Sequence, residues 1–224
     1  MRPRGGQPVR STDVMHLLAL LNPEDLLKKG GYLLLFGIIF AESGLLIGFF
    51  LPGDSLLFAA GMASAGAFQK FELNLWVVLV GVFIAAVVGD QVGYAFGRKV
   101  GPSLFRRPNS RLFKHENVEK AQAFFDRHGP KAIVLARFVP IVRTFVPVVA
   151  GVGHMEYKTF VRFNVVGGFL WAVGITLAGY FLGNVKFIHD NLEVALVAIV
   201  AVSLLPVTFE FLKHRREAKR SAGV

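Results

Sequence analysis

Residues 129–151 read GPKAIVLARFVPIVRTFVPVVAG, an apolar run that carries Arg137 and Arg143 and is interrupted by Pro140 and Pro147. No other stretch limits the fold as strongly. An arginine at the centre of a bilayer costs at least about 2.5 kcal/mol, so each one needs a partner. The two prolines argue against one straight span, because each removes a backbone donor and disfavours helix in the residue before it. Arg137 and Arg143 are six residues apart, a spacing that puts them on different faces of an unbroken helix. A break at Pro140 lets both point into one cavity. Irregular backbone at membrane depth is tolerated only under cover of protein or water, so the stretch is expected to form a re-entrant hairpin lining a polar site.

The rest of the chain fits a membrane setting. Its hydrophobic fraction is 54% and its mean hydropathy +0.53, above the roughly 45–50% apolar content of soluble domains. Lys and Arg total 25 against 15 acids, a net charge of +10. Those charges flank apolar runs, which fits the bias of basic residues toward cytoplasmic loops better than nucleic-acid binding. There are no cysteines, which excludes disulfides, thiolate metal sites and cysteine nucleophiles. The six histidines (16, 115, 128, 154, 189 and 214) show no HxxxH or HExxH spacing, so no metal and no cofactor is expected.

The order of segments predicts the architecture. Residues 1–30 form a polar arm with an interfacial helix near residues 14–21, not a cleaved signal peptide, because no small-residue cleavage site follows. Residues 31–97 form a first unit. An apolar run over 31–51 carries Glu42 as its one charge, breaks at Pro52-Gly53-Asp54, and continues over 55–68, too short to cross about 30 Å alone. The sequence leaves open whether 31–51 spans fully or forms one arm of a hairpin. A clear span over 73–97 follows, with Asp90 in its last third. Residues 98–129 form a basic linker, expected to be cytoplasmic, with an amphipathic helix where Val118, Ala121, Phe124 and Phe125 recur at helical spacing. Residues 130–183 form the second unit, the arginine hairpin plus a span over about 160–183. A last span lies within 184–212, and the basic tail 213–224 is again expected to be cytoplasmic.

The two units resemble each other. The first span ends Gly93-Tyr94-Ala95-Phe96-Gly97 and the second Gly179-Tyr180-Phe181-Leu182-Gly183, each preceded by a broken, charged hairpin. A hairpin contributes no net crossing and a span contributes one, so the units face opposite ways. The expected fold is therefore all-α and polytopic, an inverted-topology repeat of two re-entrant hairpins each followed by a transmembrane helix, plus a C-terminal transmembrane helix. This puts the N-terminus outside although it carries Arg2, Arg4, Arg10, Lys28 and Lys29, a conflict with the charge rule.

Four ionisable residues then meet at membrane depth. Glu42 and Asp54 are separated by the break at Pro52 and Gly53, as Arg137 and Arg143 are by Pro140. Two ion pairs clamping the hairpins would explain them structurally, but buried pairs often only break even energetically, and intramembrane charges default to functional sites. Guanidinium groups match phosphate in two-pronged fashion, so Arg137 and Arg143 are assigned to a lipid phosphate. Glu42 and Asp54 are assigned to charge pairing or proton coupling, since two acids close together in low dielectric favour protonating one. Asp90 reads as a helix-packing residue that pairs with Arg98 or another helix, with proton relay as the alternative, and Asn164 as an interhelical hydrogen bond. Gly93, Gly97, Gly179 and Gly183 read as close-packing positions. Trp76, Trp171, Tyr94 and Tyr180 read as interface anchors or packing groups.

These residues resemble the DedA family, which carries the SNARE-associated or VTT domain. The likeness lies in Glu42-Ser43, Phe49-Phe50-Leu51-Pro52-Gly53-Asp54-Ser55-Leu56-Leu57 and Gly89-Asp90-Gln91-Val92-Gly93-Tyr94. The second half adds Phe124-Phe125-Asp126-Arg127-His128-Gly129, Ala136-Arg137-Phe138-Val139-Pro140-Ile141-Val142-Arg143-Thr144, Ala150-Gly151, Asn164, Gly168, Trp171 and Gly179-Tyr180. The resemblance implies a non-enzymatic lipid transporter of the bacterial cytoplasmic membrane, moving undecaprenyl phosphate or a related phospholipid with the proton-motive force. It carries the family's functional acids and arginines onto Glu42, Asp54, Arg137 and Arg143. A proton-coupled transporter of a small ion or drug is the competing reading. An intramembrane lipid phosphatase is disfavoured because no PSGH-like stretch occurs, and a passive scaffold leaves the buried charges unexplained. Homo-oligomerisation is left open.

Overall fold

The computed structural model describes residues 23–45, 51–68, 71–104, 122–123 and 125–185. The expected interfacial helix near 14–21, the last span within 184–212 and the basic tail lie outside the described residues, as does most of the basic linker. All regular structure among the described residues is helical.

Helix α1 (Pro23–Gly44) bends at Gly31, whose φ of 52° and ψ of −142° only glycine adopts at little strain. The bend falls where the polar arm was expected to meet the first apolar run. Helix α2 (Gly53–Ser64) opens behind Pro52 and runs for 12 residues, about 18 Å, too short for a bilayer core of about 30 Å. Helix α3 (Leu75–Leu104) starts where Asn74 Oδ1 accepts the backbone N–H groups of Trp76 and Val77 at 3.0 and 3.2 Å, a side-chain cap.

The arginine stretch divides at the expected place. Helix α4 (Ala132–Ala136) ends in a turn over residues 137–139, and α5 (Pro140–Val152) begins with Pro140 in its first turn. Val139 is extended (φ −119°, ψ 105°), as a residue before proline prefers. Pro147 does not break the chain as expected: α5 continues through it to Val152. A Cβ built on Gly93 of α3 would sit 3.3 Å from the Cβ of Pro147, so the proline packs against a glycine.

Helix α6 (Tyr157–Gly183) completes the described chain. Its centre, Phe169–Val173, is a π-helical turn, a feature that often marks functional sites. The apolar parts of α3 (Leu75–Val100) and α6 (Tyr157–Gly183) are 26 and 27 residues long, enough to cross a bilayer.

The helices cross where side chains vanish. A Cβ on Gly97 would strike the Val148 carbonyl of α5, and one on Gly151 would strike the Tyr94 carbonyl of α3. A Cβ on Gly179 would strike the Phe58 carbonyl of α2, and one on Gly61 the Thr176 carbonyl of α6. Each Gly-Tyr-x-x-Gly segment therefore packs against the short helix of the other unit, the close backbone approach typical of membrane helices. The glycines do what their spacing predicted. Around them lie two apolar clusters, one joining α1, α2, α3 and α6 through residues such as Leu35, Leu57, Val82 and Ala172, the other joining α3, α4, α5 and α6 through Tyr94, Ile133, Phe145 and Phe160.

Candidate functional site

The two breaks set the site. Asp54 stands in the first turn of α2 and Arg143 in the first turn of α5, so both helix N-termini, each with a partial positive charge, open onto it. Glu42 reaches the same point from the end of α1, where a third glycine crossing operates: a Cβ on Gly44 would lie 2.7 Å from the Gly89 carbonyl of α3. That crossing sets Glu42 beside Asp90. The space in front of Glu42 exists because residue 53 is glycine, since any Cβ there would overlap the Glu42 carboxylate.

Arg143 holds two acids at once. Its Nη2 donates to Glu42 Oε1, and its Nη1 donates to Asp54 Oδ1 and Oδ2 at 3.0 and 3.2 Å. Glu42 is 1% exposed, whereas the Asp54 side chain is 36% exposed. Arg137 does not join this group. Its Nη2 donates to Asp90 Oδ2 at 2.5 Å and to Asn164 Oδ1 at 2.7 Å. Asn164 Nδ2 in turn donates to the Val87 carbonyl at 3.0 Å, tying α6 to α3.

The expected set of two acids facing two arginines is therefore corrected. Of the two partners expected for Asp90, Arg98 or another helix, the structure takes the second, Arg137, because the Gly44–Gly89 crossing turns α3 so that Asp90 faces the centre. Asn164 makes the expected interhelical bond and also holds Arg137. A further support is a glycine pair: a Cβ on Gly167 would lie 3.1 Å from Cδ and Nε of Arg137, and one on Gly168 would lie 3.6 Å from its Nη2. The side chain thus lies along bare α6 backbone.

Of the two roles expected for Trp171, interface anchor or packing group, its 2% exposure selects the second, and its contacts add to it. Its Nε1 donates to Asp54 Oδ1 at 2.8 Å, and the guanidinium carbons of Arg137 and Arg143 lie 5.7 and 5.2 Å from its ring, within cation–π range. Its place in the π-helical turn of α6 carries it there. Trp76, by contrast, is 74% exposed near the start of α3, as an interface residue is. Tyr94 is buried, stacks on Phe160 at 4.4 Å, and donates to the Met155 carbonyl at 2.6 Å.

Glu42, Ser43, Asp90, Arg137, Arg143 and Trp171 line one cavity of about 10 Å³, roughly the room one water needs. Arg143 Nε, Arg137 Nε and Glu42 Oε2 are buried without a hydrogen-bond partner. Two guanidinium donors and one carboxylate acceptor are thus left unused. Among the described residues no cluster of acids and histidines suits a metal ion.

Two long apolar helices packed with two broken helical segments around a cluster of five charges fit a multi-helix membrane protein built around an internal polar site. The profile of the VTT domain matches residues 51–181. The chain is 48% identical over 191 residues to Protein DedA of Escherichia coli (strain K12), covering 85% of this chain and 86% of that one. It is 48% identical over 185 residues to the uncharacterized membrane protein Rv0364 of Mycobacterium tuberculosis (strain ATCC 25618 / H37Rv), covering 83% and 80%. With inner membrane protein YghB of Escherichia coli (strain K12) it shares 32% identity over 176 residues, 78% of each chain. No solved structure matches. The chain belongs to the DedA family of VTT-domain membrane proteins.

Proposed function

We propose that this protein is a flippase that moves a phosphate-bearing lipid, undecaprenyl phosphate or a related anionic phospholipid, across the bacterial cytoplasmic membrane without altering it chemically. The observation that carries this reading is Arg143 held between Glu42 and Asp54 beside a cavity of only about 10 Å³. A guanidinium is shaped to grip two oxygens of one anion. Here carboxylates occupy its fork, as they would in an empty, closed site. A lipid phosphate takes their place when α2 and α5 separate, and both helix N-termini then face the phosphate.

The charge balance supports coupling to protons. Glu42, Asp54 and Asp90 set three carboxylates against the two guanidiniums of Arg137 and Arg143. Adding a phosphate makes the sum more negative unless a proton enters with it, so one acid accepts a proton as substrate arrives. In this reading α1–α2 and α4–α5 are re-entrant hairpins related by inverted topology, with the linker 98–129 and the tail cytoplasmic. The test is reconstitution in liposomes with a labelled polyprenyl phosphate, following its appearance in the opposite leaflet with and without a pH gradient. Wild type is expected to transport and Arg137→Ala to lose most of that activity. Equal rates would refute the reading.

The excess of carboxylates also favours a second reading, proton-coupled movement of a small cation or drug. Competition separates the two: soluble phosphates displace a bound lipid phosphate, whereas drug cations displace only a cationic substrate.

A further inference from the structure

A second cavity lies apart from the centre, between the end of α3 and the start of α6. It is a groove of about 430 Å³ lined by Gln91, Tyr94, Ala95, Arg98, Lys99 and Tyr157, within the usual size of small-molecule sites, about 300–1,000 Å³. On α3 these residues follow i, i+3, i+4, i+7 and i+8, one face of a helix. We propose that this groove is a peripheral binding site for a lipid phosphate headgroup, separate from the buried cluster.

Depth selects a lipid as the ligand. The apolar part of α3 is 26 residues long, about 39 Å at 1.5 Å per residue, whereas the hydrocarbon core is about 30 Å. Arg98 and Lys99 fall in its last turn and so stand at headgroup level, at the opposite end of the helix from exposed Trp76.

Charge selects phosphate. Arg98 and Lys99 are both exposed, and among the described residues no carboxylate pairs with either. Glu156, next to Tyr157 in the chain, accepts instead from Thr159 Oγ1 at 3.0 Å. Arg98 is already oriented: its Nη1 donates to Tyr94 Oη at 3.2 Å, and Tyr94 is fixed by its bond to Met155 and its stacking on Phe160. That leaves the other guanidinium donors of Arg98 and the Lys99 ammonium for an anion. Tyr157 is half exposed, 5.8 Å from the Tyr94 ring centre, and offers its hydroxyl and an aromatic wall.

The groove also points inward. Its deepest lining residue on α3, Gln91, has a buried Oε1 without a hydrogen-bond partner and directly follows Asp90 of the central cluster. Arg98 and Gln91 are seven residues apart, about 10 Å along the helix. A headgroup held at Arg98 thus stands one short step from the centre. This role as an antechamber rests on the transport reading; the binding itself does not.

The test is calorimetric titration of the full-length protein in neutral detergent with dihexanoylphosphatidic acid, and separately with inorganic phosphate and dihexanoylphosphatidylcholine. Binding lost by variants confined to the groove, with the buried centre left intact, reports the groove. Wild type is expected to bind the phosphatidic acid, and the Arg98→Gln/Lys99→Gln double variant to bind at least about tenfold more weakly. Ala95→Phe, which fills the groove and changes no charge, should weaken binding as much, while Trp76→Phe at the other end of α3 should not. Binding by the double variant within twofold of wild type, with an unchanged melting temperature, would overturn the proposal. So would inorganic phosphate binding as tightly as the lipid, because the site would then take free anions. If the groove variants lose binding while Arg137→Ala still transports normally in liposomes, the headgroup site stands and the flippase reading fails.

Discussion

Arg143 on α5 joins Glu42 on α1 to Asp54 on α2 through opposite prongs of one guanidinium. Three chain segments from both halves of the protein thus meet on a single side chain. This geometry needs a planar fork with two separate donor groups, which lysine lacks.

Arg143→Lys should therefore keep the charge and lose the function. An ammonium cannot hold both carboxylates in the same arrangement, nor grip a phosphate with two parallel bonds. Transport in liposomes is expected to fall at least about tenfold, with folding retained. Arg143→Ala leaves Glu42 charged and unpaired in a site where it is 1% exposed, and should destabilise by about 3–5 kcal/mol. Thermal unfolding in detergent measures the difference between the two variants.

Asp90 and Arg137 form the more deeply enclosed pair, with side chains 6% and 5% exposed. Asp90→Asn should strand a buried arginine and destabilise by about 3–5 kcal/mol. A double variant, Asp90→Leu with Arg137→Met, removes both charges and should recover most of that loss while remaining inactive. A double variant no more stable than Asp90→Asn would show that the pair does not act as a unit.

Trp171→Phe keeps an aromatic face for the two guanidiniums and removes only the N–H donated to Asp54. One lost hydrogen bond is worth about 1 kcal/mol, and Asp54 is partly exposed, so stability should change little. Transport should drop several-fold because Asp54 loses its fixed orientation. A Trp171→Phe protein with wild-type transport rates would remove the indole N–H from the mechanism.

Glycine variants separate crossings from ordinary helix positions. Gly179→Ala places a methyl group into the Phe58 carbonyl and should force α2 and α6 apart. Gly37 lies inside α1 with nothing within 4 Å of an added Cβ. Gly37→Ala should stabilise by about 0.5–1 kcal/mol through helix propensity alone. Melting temperatures that move in opposite directions are the expected result.

Much of this was legible in the residues. Apolar runs of 20 or more with few charges mark a membrane helix because the bilayer is a solvent of fixed thickness. Prolines and glycines beside charges marked the breaks at Pro52-Gly53 and Pro140 for the same local reason that makes them poor helix formers. The paired Gly-Tyr-x-x-Gly segments announced close crossings, and the glycines of both do lie against opposing backbone. Glu42, Asp54, Arg137 and Arg143 stood out because charge at that depth needs a cause.

What the sequence by itself could not determine is who pairs with whom. The partner of a buried charge depends on the rotation of each helix about its axis, and that rotation is set by contacts such as Gly44 against Gly89 that join residues 45 positions apart. Those contacts turned Asp90 onto Arg137 and left Arg143 with both remaining acids. Pro147 stayed within its helix, packed against Gly93, and the π-helical turn of α6 carried Trp171 into the centre, where no local pattern put it. Composition and breaks settle which residues must be sheltered from lipid. Only packing decides which of them shelter each other.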